Sequence, residues 1–306
     1  MDYINQSMES PETELPEIVV PSISSSARRV ELSMGQPTMR KLDKRATRDV
    51  IAHNNAKTGS ANVNKKLISS AALDEIKTLI NTVRSYHADN TVPWGESGGS
   101  RLIANANYIE YKNQIDDYEV QFWALAERCV DAYPSAVADA QLQLGDMFDE
   151  RDYPSVDKFK SKFKFKCIPE PIPEVGDFRI DIGNQAEVAM REQYKKALED
   201  RVNVIKQDLA KRLAEPLKRM SKGLDYIEGE KPTGFRDTLV DNVLTIVDLM
   251  RTCNVGNDPS VTTMQAQLRQ TLTGVTPDGL RHSSILRAKT KQNVDAIIKK
   301  LPSLGF

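Results

Sequence analysis

Between Lys158 and Lys166 a lysine stands at every second position (Lys158, Lys160, Lys162, Lys164, Lys166), while Phe159, Phe163 and Phe165 occupy the other parity. Lysines that neutralise phosphates and aromatic rings that stack on bases are the ingredients of a single-stranded nucleic-acid site. The same spacing has a structural reading. Successive side chains of a strand point to opposite faces, so the rings would enter a core while the ammonium groups face water. A second basic segment, Arg40, Lys41, Lys44, Arg45 and Arg48, offers a similar pair of readings: a phosphate-binding arm, or a charged helix face or loop.

The remaining reactive residue types are scattered. A phosphate-binding loop needs a lysine after its glycines, and GESGG at Gly95–Gly99 has none. His53, His87 and His282 stand alone, without the paired spacing of a metal-binding helix. No GxSxG elbow occurs, and Asp116 and Asp117 are neighbours that cannot share one helix face. Cys129, Cys167 and Cys253 lie far apart and lack CxxC spacing, which predicts small buried hydrophobes in a reducing compartment. The expectation is a protein that is not an enzyme and uses no cofactor or metal.

Bulk charge selects no partner, because 42 Lys and Arg oppose 43 Asp and Glu. The distribution is uneven: residues 1–27 hold five acids and no base, whereas residues 28–66 hold ten bases and three acids. No apolar run approaches the roughly 18 to 20 residues that span a bilayer, and the N-terminus lacks a signal-peptide pattern. These features predict a cytoplasmic chain with no membrane partner. Prolines 11, 16 and 21, the serines 24–26 and the interspersed acids predict a disordered acidic tail over 1–27.

Around these residues the periodicity is mainly helical. Val30, Leu32 and Met34 alternate as in a strand that could join a small sheet. Ser70 is placed to cap a helix running to about Tyr86, with Leu73, Ile76, Leu79, Ile80 and Val83 on one face. Tyr108, Tyr111, Ile115, Tyr118, Phe122, Leu125 and Cys129 then form a heptad-type seam that requires a partner helix. The expected partner is the stretch from Gln185 to about Lys222, giving a long antiparallel hairpin with a kink at Pro216; an intermolecular coiled coil is the alternative. Tyr153 to Gly183 reads as an inserted β-hairpin, its second strand carrying Phe178, Ile180 and Ile182. Asp258-Pro259 and Thr276-Pro277 predict caps that separate three short C-terminal helices. Trp94 and Gly95 are either a docking surface for a partner or the cap of a core at an interhelix turn.

From about Arg29 to Leu301 the chain resembles the family described as domain of unknown function 3150, found in proteobacterial and bacteriophage genomes. The residues that carry the likeness are YHADNTVPWGESGGSRLIANANYIEY from Tyr86 to Tyr111, the YPS and GDFRIDIG elements, FRDTLVDNV from Phe235 to Val243, and NVGNDPS from Asn254 to Ser260. The resemblance implies no catalytic residue. It implies a mobile-element context beside MoxR-type AAA+ ATPases and von Willebrand A-type proteins.

The sequence therefore predicts a mainly α (α+β) protein with three parts: a tail over 1–27, a helical hairpin with inserted β-hairpin over 28–232, and a helical unit over 233–306. The leading functional expectation is a phage or mobile-element adaptor that binds protein partners, an AAA+ ATPase among them. The alternatives are single-stranded DNA binding through the two basic segments, and a self-assembling homo-oligomer held by the heptad seam.

Overall fold

The computed structural model describes residues 27–95, 99–172, 184–225, 238–252, 254 and 258–301. The expected tail up to residue 26, the strand expected over 177–182, Phe235 and Cys253 lie outside the described residues. The fold is mainly helical around a small antiparallel sheet. Strands β1 (Ala27–Gly35), β4 (Val92–Pro93), β5 (Ser100–Ala104) and β6 (Lys164–Glu170) form it in the order β4-β5-β1-β6, and β2 (Arg40–Leu42) with β3 (Asn64–Lys66) make a separate ribbon. The described helices are α1 (Lys44–His53), α2 (Ala71–Asn90), α3 (Tyr108–Leu144), α4 (Val156–Lys160), α5 (Asn184–Gly223), α6 (Thr238–Thr252), α7 (Pro259–Leu272), α8 (Pro277–His282) and α9 (Ser284–Lys300). Among the described residues no helix is long and apolar enough to cross a membrane.

The alternation of Val30, Leu32 and Met34 does make a strand. It is an inner strand, paired with β5 from Ala27↔Ala104 to Glu31↔Ser100 and with β6 from Arg29↔Glu170 to Gly35↔Lys164. Cross-strand partners share a face, so the register sorts the two sides of the sheet. Val30, Leu32, Met34, Ile103 and Phe165 face α2 and α3, in a core rich in aromatic rings. Ala27, Val92 and Leu102 face α5 and the C-terminal helices, in a core that is almost entirely aliphatic.

The expected pairing of the Tyr108–Cys129 seam with residues 185–222 gives way to a different one. The seam packs on α2: Tyr86 stacks on Tyr111 at 5.9 Å between ring centroids and meets Tyr118 edge-on at 5.7 Å, while Arg128 bonds Glu75 at 3.1 Å near the other end. These contacts make α2 and α3 the antiparallel hairpin. The physical reason is proximity: only β4, β5 and their turn separate the two helices, and the sheet stands between α3 and α5. Tyr111, Ile115, Phe122 and Cys129 are at most 3% exposed. The seam is internal core, so it is not the oligomer contact of the self-assembly alternative.

The block from Tyr153 also departs from expectation at its start. Residues 156–160 are helical, with Ser155 Oγ accepting from the Lys158 N–H at 3.4 Å, and the strand begins only at Lys164. Lys158 and Lys160 therefore lie on a helix. The strand partner seen for β6 is β1. Ser70 caps α2 as expected, although the helix continues to Asn90 instead of ending near Tyr86. Asp258 and Thr276 cap as expected, and Ser283 adds a further start by accepting from Leu286 N–H at 3.2 Å, dividing the third expected helix into α8 and α9. Pro216 lies within α5.

Candidate functional site

Phe159 stacks on Tyr133 with centroids 4.1 Å apart, Phe163 meets Phe159 edge-on at 5.4 Å, and Phe165 lies 5.4 Å from Phe122. All three rings are buried, so none is free to stack on a base. The five lysines from Lys158 to Lys166 are all exposed. Lys164 and Lys166 share the face of β1 that carries Glu31 and Ser33, with Ser33↔Lys166 and Gly35↔Lys164 in register. Among the described residues β6 is an edge strand, where lysines discourage pairing with another chain.

Contacts at both ends of this lysine segment tie it to the other basic segment. At its start, Tyr153 Oη donates to Leu67 O at 2.8 Å, immediately beyond β3. Its neighbour Asp152 accepts from Lys41 Nζ and pairs with Lys65 at 2.8 Å. At its far end, Lys164 lies against Gly35, where an added Cβ would meet Lys162 O at 3.5 Å, and β2 begins five residues later at Arg40. Arg40, Lys41, Lys44, Arg45 and Arg48 are all exposed. These contacts make the two basic segments neighbours in the fold, although more than a hundred residues of chain separate them.

Of these ten, only Lys41 forms an ion pair among the described residues. The acids nearby are already engaged. Lys65 is buried, donates to Met147 O, pairs with Asp152 and lies 3.9 Å from Asp43. Burial works to raise the Asp152 carboxyl, but hydrogen bonds from Lys41 and Lys65 outweigh it and hold the group below its ordinary range. An open groove of about 650 Å³ beside this cluster carries both signs, with Lys44, Arg45, Asp146, Asp149 and Glu150 among its lining residues. Lys65 and Asp152 escape sequence reasoning because an ion pair across 87 residues leaves no periodic signal.

Trp94 is only 6% exposed and lies in the aliphatic core, its ring 5.1 Å from the Arg201 guanidinium. It caps a core at an interhelix turn, and Gly95 supplies the φ of +115° that the turn needs. A buried polar chain elsewhere joins His87 Nδ1 to Tyr111 Oη at 2.7 Å and Tyr111 Oη to Cys167 Sγ at 3.6 Å. Burial, helped by the Arg101 charge, pushes His87 down to about 4, and burial pushes Tyr111 and Cys167 up. At neutral pH the imidazole is uncharged and the thiol protonated, so this chain satisfies buried polar atoms and activates no nucleophile. Burial also pushes Cys129 up to about 11. His53 is exposed at the end of α1, and His282 sits 3.3 Å from Asp278 on the surface of α8. Among the described residues no group of three or more His, Cys, Asp or Glu is arranged to hold a metal ion.

No protein-family model, curated protein or solved structure matches this chain.

Proposed function

We propose that the chain is a non-catalytic binding protein whose ligand is a nucleic-acid backbone, held by the two neighbouring basic segments. The observation that carries the reading is the convergence of Lys158, Lys160, Lys162, Lys164 and Lys166 with Arg40, Lys41, Lys44, Arg45 and Arg48, nine of them without an ion pair among the described residues. With Phe159, Phe163 and Phe165 buried, affinity comes from phosphate neutralisation alone. Such binding ignores sequence, weakens steeply with salt and lies at roughly 10⁻⁴ to 10⁻⁶ M for non-specific sites at physiological salt. The test is fluorescence anisotropy with single- and double-stranded oligonucleotides across a salt series. K160E/K162E/K164E should abolish binding while the fold persists; unchanged affinity sinks the reading.

A second reading is favoured by a different observation. On α3 the apolar Ile109 (68% exposed), Val120 (71%) and Trp123 (43%) lie along one outward stripe. That stripe suits a protein partner, and the family resemblance points to an AAA+ ATPase or a von Willebrand A-type protein in a phage or mobile-element system. Affinity purification from the native host, with and without nuclease, separates the two readings. Nuclease-resistant recovery of the ATPase, lost in V120D/W123D, supports the adaptor; loss of all partners after nuclease supports the polyanion.

A further inference from the structure

A cavity of about 260 Å³ opens between the turn after β1, strand β3 and the first turns of α2. Its volume falls short of the roughly 300–1,000 Å³ that encloses a drug-sized molecule, but it admits a single small anion. Arg40, Lys66 and Lys77 reach its wall, with Asp74 the only acid there. Three cations against one carboxylate leave two positive charges.

The local pairing shows how unusual this is. Arg40 and Lys66 are cross-strand partners, and like charges directly opposite destabilise a ribbon. The next pair along, Lys41↔Lys65, has the same problem and resolves it through Asp152. Arg40, Lys66, Lys77 and Asp74 form no ion pair among the described residues. Gln36, on the same wall, has a buried Oε1 without a partner, and a half-turn of its amide would present Nε2–H donors instead. The wall also contains Met39 at a φ of +43°, a costly conformation for a side-chain-bearing residue. It is held there by burial of the side chain and by the Leu67 N–H bond to Met39 O at 2.9 Å. The end of α2 adds little, since Ser70 Oγ already takes the Leu73 N–H.

We infer that this cavity is a binding site for a phosphate group, with Arg40, Lys66 and Lys77 as its cationic contacts and a doubly charged terminal phosphate as its best occupant. The inference rests on the polyanion reading, whose surrounding lysines would carry the rest of a strand past the cavity. The phosphate could arrive free or on a strand end, and the experiment distinguishes these sources. In the full chain, inorganic phosphate at ten times its Kd should raise Tm by roughly 3 °C. R40Q and K66Q should each weaken that effect at least ~5-fold, with K77Q as a third variant in case either perturbs the ribbon. A 5′-phosphorylated oligonucleotide should bind at least ~5-fold tighter than its 5′-hydroxyl counterpart, and R40Q should erase the difference. K160E/K162E/K164E should lose oligonucleotides yet keep the inorganic phosphate effect, so the surface and the cavity fail separately. Phosphate binding without a 5′ preference would support the cavity and assign it to free phosphate. Absence of any phosphate effect in the wild-type chain, or an unchanged effect in all three single variants, overturns the proposal.

Discussion

Lys65 and Lys164 stand on neighbouring parts of the fold and have opposite fates. Lys65 is buried and held by Asp152, Asp43 and Met147 O, so its charge is spent inside the molecule. Lys164 stands in solvent on a strand that is at the sheet edge among the described residues, with no ion pair among them and a glycine across the ladder. A count of basic residues cannot tell these cases apart. Burial and the position of the nearest carboxylate decide whether a lysine stabilises the fold or remains available to a ligand.

The contrast is most severely tested by removing Asp152. D152A strands Lys65 as a buried, poorly compensated cation and should cost roughly 3–5 kcal/mol in urea unfolding, whereas K164Q should change stability by less than about 0.5 kcal/mol. Equal costs for the two variants would erase the distinction. Replacing both partners, as in K65M/D152L, should recover most of the loss. A smaller effect is expected at Asp258, which caps α7 and pairs with Lys206 of α5: D258A should cost about 1–2 kcal/mol. Burial works to raise the Asp258 carboxyl, but hydrogen bonds from Lys206 and Ser260 lower it to about 2.

Acid offers a route to both carboxylates. Asp152 and Asp258 are depressed in the fold, so the unfolded chain takes up their protons first as pH falls. Their contribution should be complete above the ordinary aspartate value of 3.8 and should be lost as pH falls through each depressed value, which for Asp258 lies at about 2. In D152A the part of that acid sensitivity owed to Asp152 should vanish, while K164Q should keep the wild-type profile. The smallest change in stability is expected at the edge: K164V/K166V should leave the melting curve nearly unmoved, yet analytical ultracentrifugation should detect self-association through β6.

Much of the framework was legible because capping and periodicity are local. Ser70, Asp258 and Thr276 announce their helices by side-chain chemistry alone, and Val30, Leu32 and Met34 announce a strand. The misreading of residues 156–160 has a specific origin. Phe159 and Phe163 are four apart, which satisfies a helix and a strand of period 2 equally, and the alternation of lysines favoured the strand. The decisive signal was Ser155 followed by Asp157, a helix start of the kind recognised elsewhere in the chain. The seam on α3 showed that a partner was needed, but the stripes on α2 and α5 both had suitable spacing. The basic segments were legible as types; their convergence was not, because it depends on Tyr153 meeting Leu67 and on the β1–β6 register.

Arg212 of α5 reaches around the sheet to the end of α2, bonding Ala88 O at 2.7 Å and Thr91 O at 3.0 Å, the same two carbonyls that Arg101 holds at 3.2 and 2.9 Å. A helix of 40 residues extends roughly 60 Å and, packed by aliphatic side chains alone, could ratchet along its neighbours by a turn of about 5.4 Å. The Arg212 guanidinium acts as a detent: one turn of slippage would carry it out of reach of both carbonyls. Together with the Lys206–Asp258 pair, it fixes the axial register of α5 against its neighbours.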